Sequence, residues 1–459
     1  MDKHQSPALG RLHRFIGAFN SGDPAQYQAL AEADYAKGRQ PAAFLWLLYH
    51  DTGPLHLVRL DEVTAHSVTA LVRTSIGENW ISLKLMVEHE EPHSITAVLP
   101  AFQARPCDLS PAREAGDEEI RVELSAYVDR LATEDRFSGA VLVARGGRIL
   151  FQTVKGMASR AYGVPNRLET RFNLGSINKM FTGVAVAQLA QRGLLSFDDP
   201  LARHLPDYPA DVASKVTIHH LLTHTGGLGS YWNEKWEQAR FKVREVADYL
   251  PLFQEDPLRF EPGQGWYYSN AGFILLGAVI ERASGQNYFD YIREHIYRPA
   301  GMHNTDCYAL DEEPPRIAVG YTHSDGRGGL YPERWFNNTF RHVVKGGPAG
   351  GGYATVGDML RFAEALMENR LLDQHHTELV VTGQAKTDMG PTEWYGYGFT
   401  ESRLESGRVI GHSGGFAGVN ANLDIFPDHG AVAVVLANCD FPAGKRVRDR
   451  ILELIMQGK

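Results

Sequence analysis

Cysteine is scarce in this 459-residue chain: Cys107, Cys307 and Cys439 stand alone and far apart. Three isolated thiols make neither a disulfide framework nor a thiolate metal site, and they suit a reducing compartment, so a cytoplasmic location is expected. Positive charge is short as well. Lys and Arg number 46 against 55 Asp and Glu, a formal net charge of -9. The basic excess of a nucleic-acid-binding protein is missing. No apolar run reaches the length that crosses a bilayer; the longest, Ala271–Ile280 and Ala431–Ala437, read as a buried helix and a buried strand. The opening Met1-Asp2-Lys3-His4-Gln5-Ser6-Pro7 lacks the charged-then-apolar pattern of a secretory signal. Neither nucleic acid nor membrane is expected as a partner.

What is present is ordinary globular material, 43% hydrophobic and 22% charged, in a chain too long for one compact core. Residues 1–105 read as a small α+β unit. Leu9, Leu12, Phe15, Ile16 and Phe19 recur at helical spacing, further helices are expected over Ala25–Tyr35 and Ala42–Tyr49, and four strands over Leu55–Val63, Ser67–Arg73, Trp80–Val87 and Ser94–Leu99. Helices followed by a strand meander resemble the NTF2-like fold, which implies an accessory domain and a candidate surface for homo-oligomerisation. Residues 106–117, rich in Pro, Asp, Glu and Arg, read as a linker. Residues 118–459 form the large domain. It opens with a helix, Glu119–Leu131, and a hairpin, Gly139–Ala144 and Arg148–Gln152, turned at Arg145-Gly146-Gly147; it closes with strands Ala421–Phe426 and Ala431–Ala437 and a helix, Lys445–Met456. Strands at both ends with helices between predict one sheet built from both ends and flanked by helices.

Three short constellations carry chemistry. In Gly175-Ser176-Ile177-Asn178-Lys179, Ser and Lys three apart at the start of an apolar helix share one face. Burial there lowers the lysine pKa, so a neutral amine can take the serine proton, and the helix start offers backbone N–H groups to an oxyanion. In Pro262-Gly263-Gln264-Gly265-Trp266-Tyr267-Tyr268-Ser269-Asn270, a phenol and a carboxamide two apart precede a helix over Ala271–Ala283. Gly411-His412-Ser413-Gly414-Gly415 adds a polar pair and glycines that let a substrate lie along the backbone. Each alone has a plain structural account.

As an ordered set, Ser-x-x-Lys, Tyr-x-Asn and His-Ser-Gly resemble the penicillin-recognising serine hydrolases. The nearest branch holds class C β-lactamases, D-alanyl-D-alanine carboxypeptidases, D-aminopeptidases and β-lactamase-like esterases. Thr170–Gly175, Leu221–Leu228, Pro299–Met302, Gly350–Thr355 and Tyr395–Phe399 extend the likeness over about Glu118–Gly458. The resemblance implies a β-lactamase/transpeptidase-like α/β (α+β) domain with an antiparallel sheet. It further implies Ser176 as nucleophile, Lys179 as base, Tyr268 as proton relay and Asn270 as orienting group. His412 and Ser413 would line the cleft, and Gly415, after Gly414, would give its N–H with that of Ser176 to the oxyanion hole. Which of Lys179 and Tyr268 takes the first proton stays open. His412 departs from the Lys of most β-lactamases, and Gly226 from a Ser usual in the loop Thr223–Gly227.

Other matches are weaker. Gly411–Gly415 also fits the G-x-S-x-G elbow, which needs a strand before and a helix after it. His219, His220 and His224 have near-helical ligand spacing without a companion Glu. Gly346–Gly352 lacks the Lys-Ser/Thr of a phosphate loop and reads as a tight turn near the cleft, and Asp198-Asp199 read as a surface cap. The expected activity is hydrolysis of a small-molecule ester or amide through an acyl-serine, with neither metal nor cofactor. Esters rank first, D-amino-acid amides second and β-lactams third. Acyl transfer and a non-catalytic scaffold are the alternatives.

Overall fold

The computed structural model of the chain describes residues 6–456, apart from residues 40, 77–78, 104–105, 107–114, 313 and 332. Cys107 and most of the expected linker lie outside the described residues. The chain divides into two compact units. The first comprises Met1–Arg113, Thr322–Phe336 and Asp449–Gln457, the second Glu114–Tyr321, Asn337–Arg448 and Gly458–Lys459. The first unit therefore draws two segments from far along the sequence.

Within the first unit, helices α1 (Pro7–Asn20), α2 (Pro24–Asp34) and α3 (Ala42–Thr52) precede an antiparallel sheet in the order β1 (Leu55–Val63), β2 (Ser67–Thr74), β3 (Trp80–Val87) and β4 (Ile95–Gln103). Ser6 caps α1 by accepting the Leu9 N–H, with Pro7 in the first turn, where its missing N–H costs nothing. Leu9, Leu12, Phe15 and Phe19 are buried, as their spacing predicts; Ile16 is only partly so. In β3, Ile81, Leu83, Leu85 and Val87 are buried while Lys84 and Met86 are exposed, the alternation of a sheet with one wet face.

The second unit starts with α4 (Asp117–Thr133), whose Ile120, Leu124, Tyr127, Val128 and Leu131 form one buried stripe. An eight-stranded antiparallel sheet follows from β5 (Gly139–Arg145), β6 (Arg148–Lys155), β7 (Ala385–Lys386), β8 (Glu393–Tyr395), β9 (Thr400–Leu404), β10 (Gly407–Phe416), β11 (Val419–Phe426) and β12 (Ala431–Ala437). Its order is β7-β8-β9-β10-β11-β12-β5-β6. Ala437 pairs with Gly139, so strands from the two ends of the unit close one sheet. The flanking helices α5 (Asn178–Gln191), α6 (Asn270–Ser284) and α7 (Val356–Met367) bury apolar side chains in the core of this unit.

Helix α5 is buried without a break from Asn178 to Leu189. Gly183 permits this: a Cβ there would lie 1.9 Å from the Tyr397 carbonyl oxygen. Any side chain placed on α5 near its start is thereby removed from water. Among the described residues, no helix is long and apolar enough to cross a membrane. Cys307 and Cys439 are free and buried.

Candidate active site

Ser176 sits on a 3₁₀ turn, Gly175–Ile177, that runs directly into α5. The sequence spacing anticipated a shared helix; the serine instead occupies the tighter turn leading into it, and the Gly175 N–H is held by Asn173 Oδ1 at 2.8 Å. Lys179 lies one turn further on, with no exposed surface. Its Nζ is 3.1 Å from Ser176 Oγ, 2.8 Å from Asn270 Oδ1 and 2.6 Å from the Ala349 carbonyl oxygen. It has no ion pair among the described residues. Burial alone drives its pKa well below that of a free lysine. In the neutral amine, two N–H groups meet Asn270 and Ala349, which leaves the lone pair to accept from the Ser176 O–H.

The middle residue of Tyr268-Ser269-Asn270 is the N-cap of α6. Ser269 Oγ accepts the Gly272 N–H at 3.0 Å and donates to the Gly229 carbonyl at 2.6 Å. The cap fixes the helix start, and so sets the phenol and the carboxamide on either side of it. Lys179 Nζ lies 4.7 Å from the centroid of the Tyr268 ring. Burial raises the Tyr268 phenol above its usual pKa, and its interaction with Ser176 offsets part of that rise. At neutral pH the group is therefore an O–H.

Behind Tyr268 stands His224, fully enclosed and in the left-handed region at φ 62°. Its carbonyl accepts the Tyr267 N–H at 3.0 Å and its Nδ1 accepts the Ser269 N–H at 3.1 Å. The ring proton accordingly sits on Nε2, which has no hydrogen-bond partner among the described residues. Burial, reinforced by Lys179 and His412, keeps the imidazole neutral. His219 pairs with the Tyr397 hydroxyl at 2.9 Å, and His220 Nδ1 accepts the Thr217 N–H at 3.2 Å. The three histidines thus serve three different partners. No metal-binding cluster occurs among the described residues.

Gly411–Gly415 is strand throughout, in β10, without the strand-turn-helix of a nucleophile elbow. Strand alternation separates its residues. Ser413 is exposed, whereas His412 and Gly414 are buried. His412 Nε2 pairs with the Tyr395 hydroxyl at 2.9 Å and its Nδ1 lies 2.5 Å from the Ser413 carbonyl oxygen. Burial and Lys179 push its pKa down to about 3. Gly414 has to be glycine, since a Cβ would lie 1.9 Å from the Leu174 carbonyl oxygen and 3.0 Å from the Ser176 nitrogen. This close approach brings β10 against the nucleophile's turn.

A cavity of about 260 Å³ opens at Ser176, with Asn270 and Gly415 in its wall. Tyr231, Trp232, His342, Val343 and Phe416 complete its far side. Neither His412 nor Ser413 lines it. Gly347 and Gly350 exchange backbone hydrogen bonds at 2.8 and 3.2 Å, the expected tight turn, and this turn aims the Ala349 carbonyl at Lys179. Asp199 is a correction to the sequence reading: it is buried, and accepts from the Ser196 N–H at 2.8 Å and from Arg203 at 2.6 Å, with His204 at 2.9 Å. Only Asp198 stays on the surface.

Residues 124–456 match the Beta-lactamase family model. The chain belongs to the beta-lactamase family. Within this family of serine hydrolases, it is 32% identical over 330 residues to Penicillin-binding protein 4* of Bacillus subtilis (strain 168), covering 69% of this chain and 72% of that protein. Identity reaches 39% over 218 residues with Esterase EstB of Burkholderia gladioli, covering 44% of this chain and 55% of that one. The crystal structure of a penicillin binding protein from Bacillus halodurans superimposes with a TM-score of 0.65 at 36% identity, over 70% of this chain and 98% of that one.

Several residues of the site escaped the sequence. The Ala349 carbonyl is a backbone group 170 positions from Lys179. His224 lies in the family-like segment Leu221–Leu228 and was noted for its spacing to other histidines, with no role in positioning Tyr268 read from either. Trp232, His342 and Phe416 come from three separate segments and meet only in the fold.

Proposed function

We infer that the protein hydrolyses a small carboxylic ester through an acyl-serine intermediate at Ser176. The arrangement of Lys179 carries this reading. It is a buried amine with both hydrogens engaged by carbonyl oxygens and its lone pair facing the serine hydroxyl. On approach of an ester, Lys179 takes the Ser176 proton as Oγ bonds to the carbonyl carbon. The N–H groups of Ser176 and Gly415 stabilise the oxyanion, a contribution of about 3 kcal/mol per donor. Tyr268 gives its proton to the departing alkoxide as the C–O bond breaks, and is reprotonated from Lys179. Water then attacks the acyl-serine, passes a proton back through the same groups, and releases the acid and Ser176.

The ester ranks ahead of an amide or β-lactam because, among the described residues, no Asp, Glu, Lys or Arg lines the cavity. A substrate carboxylate or ammonium finds no counter-charge there. Likeness to an esterase supports the same order. The scarcity of cysteine supports a cytoplasmic setting, and the N-terminal unit is assigned to assembly or access rather than chemistry. A panel of p-nitrophenyl esters, D-amino-acid anilides and nitrocefin tests the reading. p-Nitrophenyl acetate or butyrate should be turned over fastest; faster turnover of nitrocefin or an anilide overturns the ranking.

A further inference from the structure

His342 lines the cavity beside Ser176 and is 8% exposed, yet its imidazole has no hydrogen-bond partner among the described residues. The ring is held by packing, 5.3 Å from Phe416. Phe416 in turn stacks on Trp232 at 5.6 Å and an interplanar angle of 24°. Val343, Ala349 and the Tyr231 ring extend the apolar wall, and the Asn173 carboxamide is already engaged with the Gly175 N–H and the Gly351 carbonyl. The ring nitrogens are not sealed off, so a group placed in the cavity can reach them. Here the ring faces the space a substrate fills.

We propose that His342 is a specificity-determining residue, which hydrogen-bonds an uncharged polar atom on an otherwise apolar acyl group seated against Trp232 and Phe416. The inference rests on the acyl-serine reading above. A neutral imidazole presents one donor and one acceptor, so a hydroxyl or ether oxygen on the acyl chain satisfies it. Burial holds the His342 pKa down to about 4, and the ring therefore recognises such an atom without charge at neutral pH. The modest volume and the aromatic wall favour a short or flat acyl group.

The test compares kcat/KM for p-nitrophenyl 3-hydroxybutyrate and p-nitrophenyl butyrate in the native protein and in His342→Phe. Phenylalanine keeps the ring against Phe416 and removes both nitrogens. The ratio of hydroxylated to plain ester should fall by about fivefold to tenfold in the variant, the span of one neutral hydrogen bond. His342→Gln, which retains a donor and an acceptor, should recover part of it and guards against a variant that fails to fold. An unchanged ratio in both variants, with native protein that labels at Ser176 and hydrolyses both esters, overturns the role of His342 alone. Native protein that neither labels nor turns over either ester removes the acyl-serine reading, and this inference with it.

Discussion

The imidazole of His224 lies 4.4 Å from the ring of Tyr268, and the same histidine grips the chain on both sides of that tyrosine. Its carbonyl holds the Tyr267 N–H and its Nδ1 holds the Ser269 N–H. Tyr268 itself contributes neither bond, so its position depends on its neighbours. The left-handed backbone at His224 makes the carbonyl and the ring converge on one segment.

Loss of this bracket should therefore act on rate. His224→Ala should lower kcat by about 10- to 100-fold, the scale of a misplaced catalytic group. His224→Asn, which tolerates the left-handed backbone and keeps a side-chain acceptor, should recover part of the loss. Steady-state kinetics on a p-nitrophenyl ester decide the point. A native kcat in His224→Ala would mean that the bracket leaves Tyr268 where it is.

Covalent labelling separates the two serines. Ser176→Ala should abolish modification by a fluorophosphonate and all turnover, because its hydroxyl is the one facing Lys179. Ser413→Ala should still be modified, since Ser413 sits exposed on β10. Intact-mass spectrometry reads both. A label that survives at Ser413 when Ser176 is gone would transfer the chemistry to β10.

The proposed roles of Lys179 and Tyr268 as proton carriers set the pH profile. Lys179 acts as the neutral amine, so kcat/KM should fall as pH drops through its pKa, which burial places far below 10.5. Tyr268 acts as an O–H with a raised pKa, so loss on the alkaline side should begin only above 10. Tyr268→Phe should cost about 10²- to 10⁴-fold in rate and erase the alkaline limb. A near-normal rate in that variant would leave Tyr268 a packing residue.

Local pattern made much of this legible in advance. Ser176 and Lys179 are three apart, and Tyr268 and Asn270 flank a serine before an apolar run, which is itself a helix-start signal. The hairpin of β5 and β6 and the closing strands β11 and β12 are long enough to show their periodicity. The far edge of the sheet was not, because β7, β8 and β9 span two, three and five residues. Burial was the other blind spot. Asp199 carries a turn signal, but its enclosure comes from Ser196, Arg203 and His204 folding around it. His412 offers no sign in the sequence of its burial, in which its Nε2 meets the Tyr395 hydroxyl and its ring lies 6.3 Å from that of Tyr268.

The N-terminal unit provides the last test. Every residue assigned a chemical role, from Ser176 to Gly415, belongs to the second unit, while the first has its own core of Phe15, Phe19, Tyr27, Leu83 and Leu85. A truncated protein beginning near Pro111 should therefore still form the covalent adduct at Ser176. It should also melt at a lower temperature, because Thr322–Phe336 and Asp449–Gln457 belong to the same compact unit as the residues removed and lose that setting. Circular dichroism establishes whether the truncation is folded, and fluorophosphonate labelling whether its site is intact. Folded protein that fails to label would mean that the N-terminal residues complete the active site, and the separation of assembly from chemistry would have to be given up.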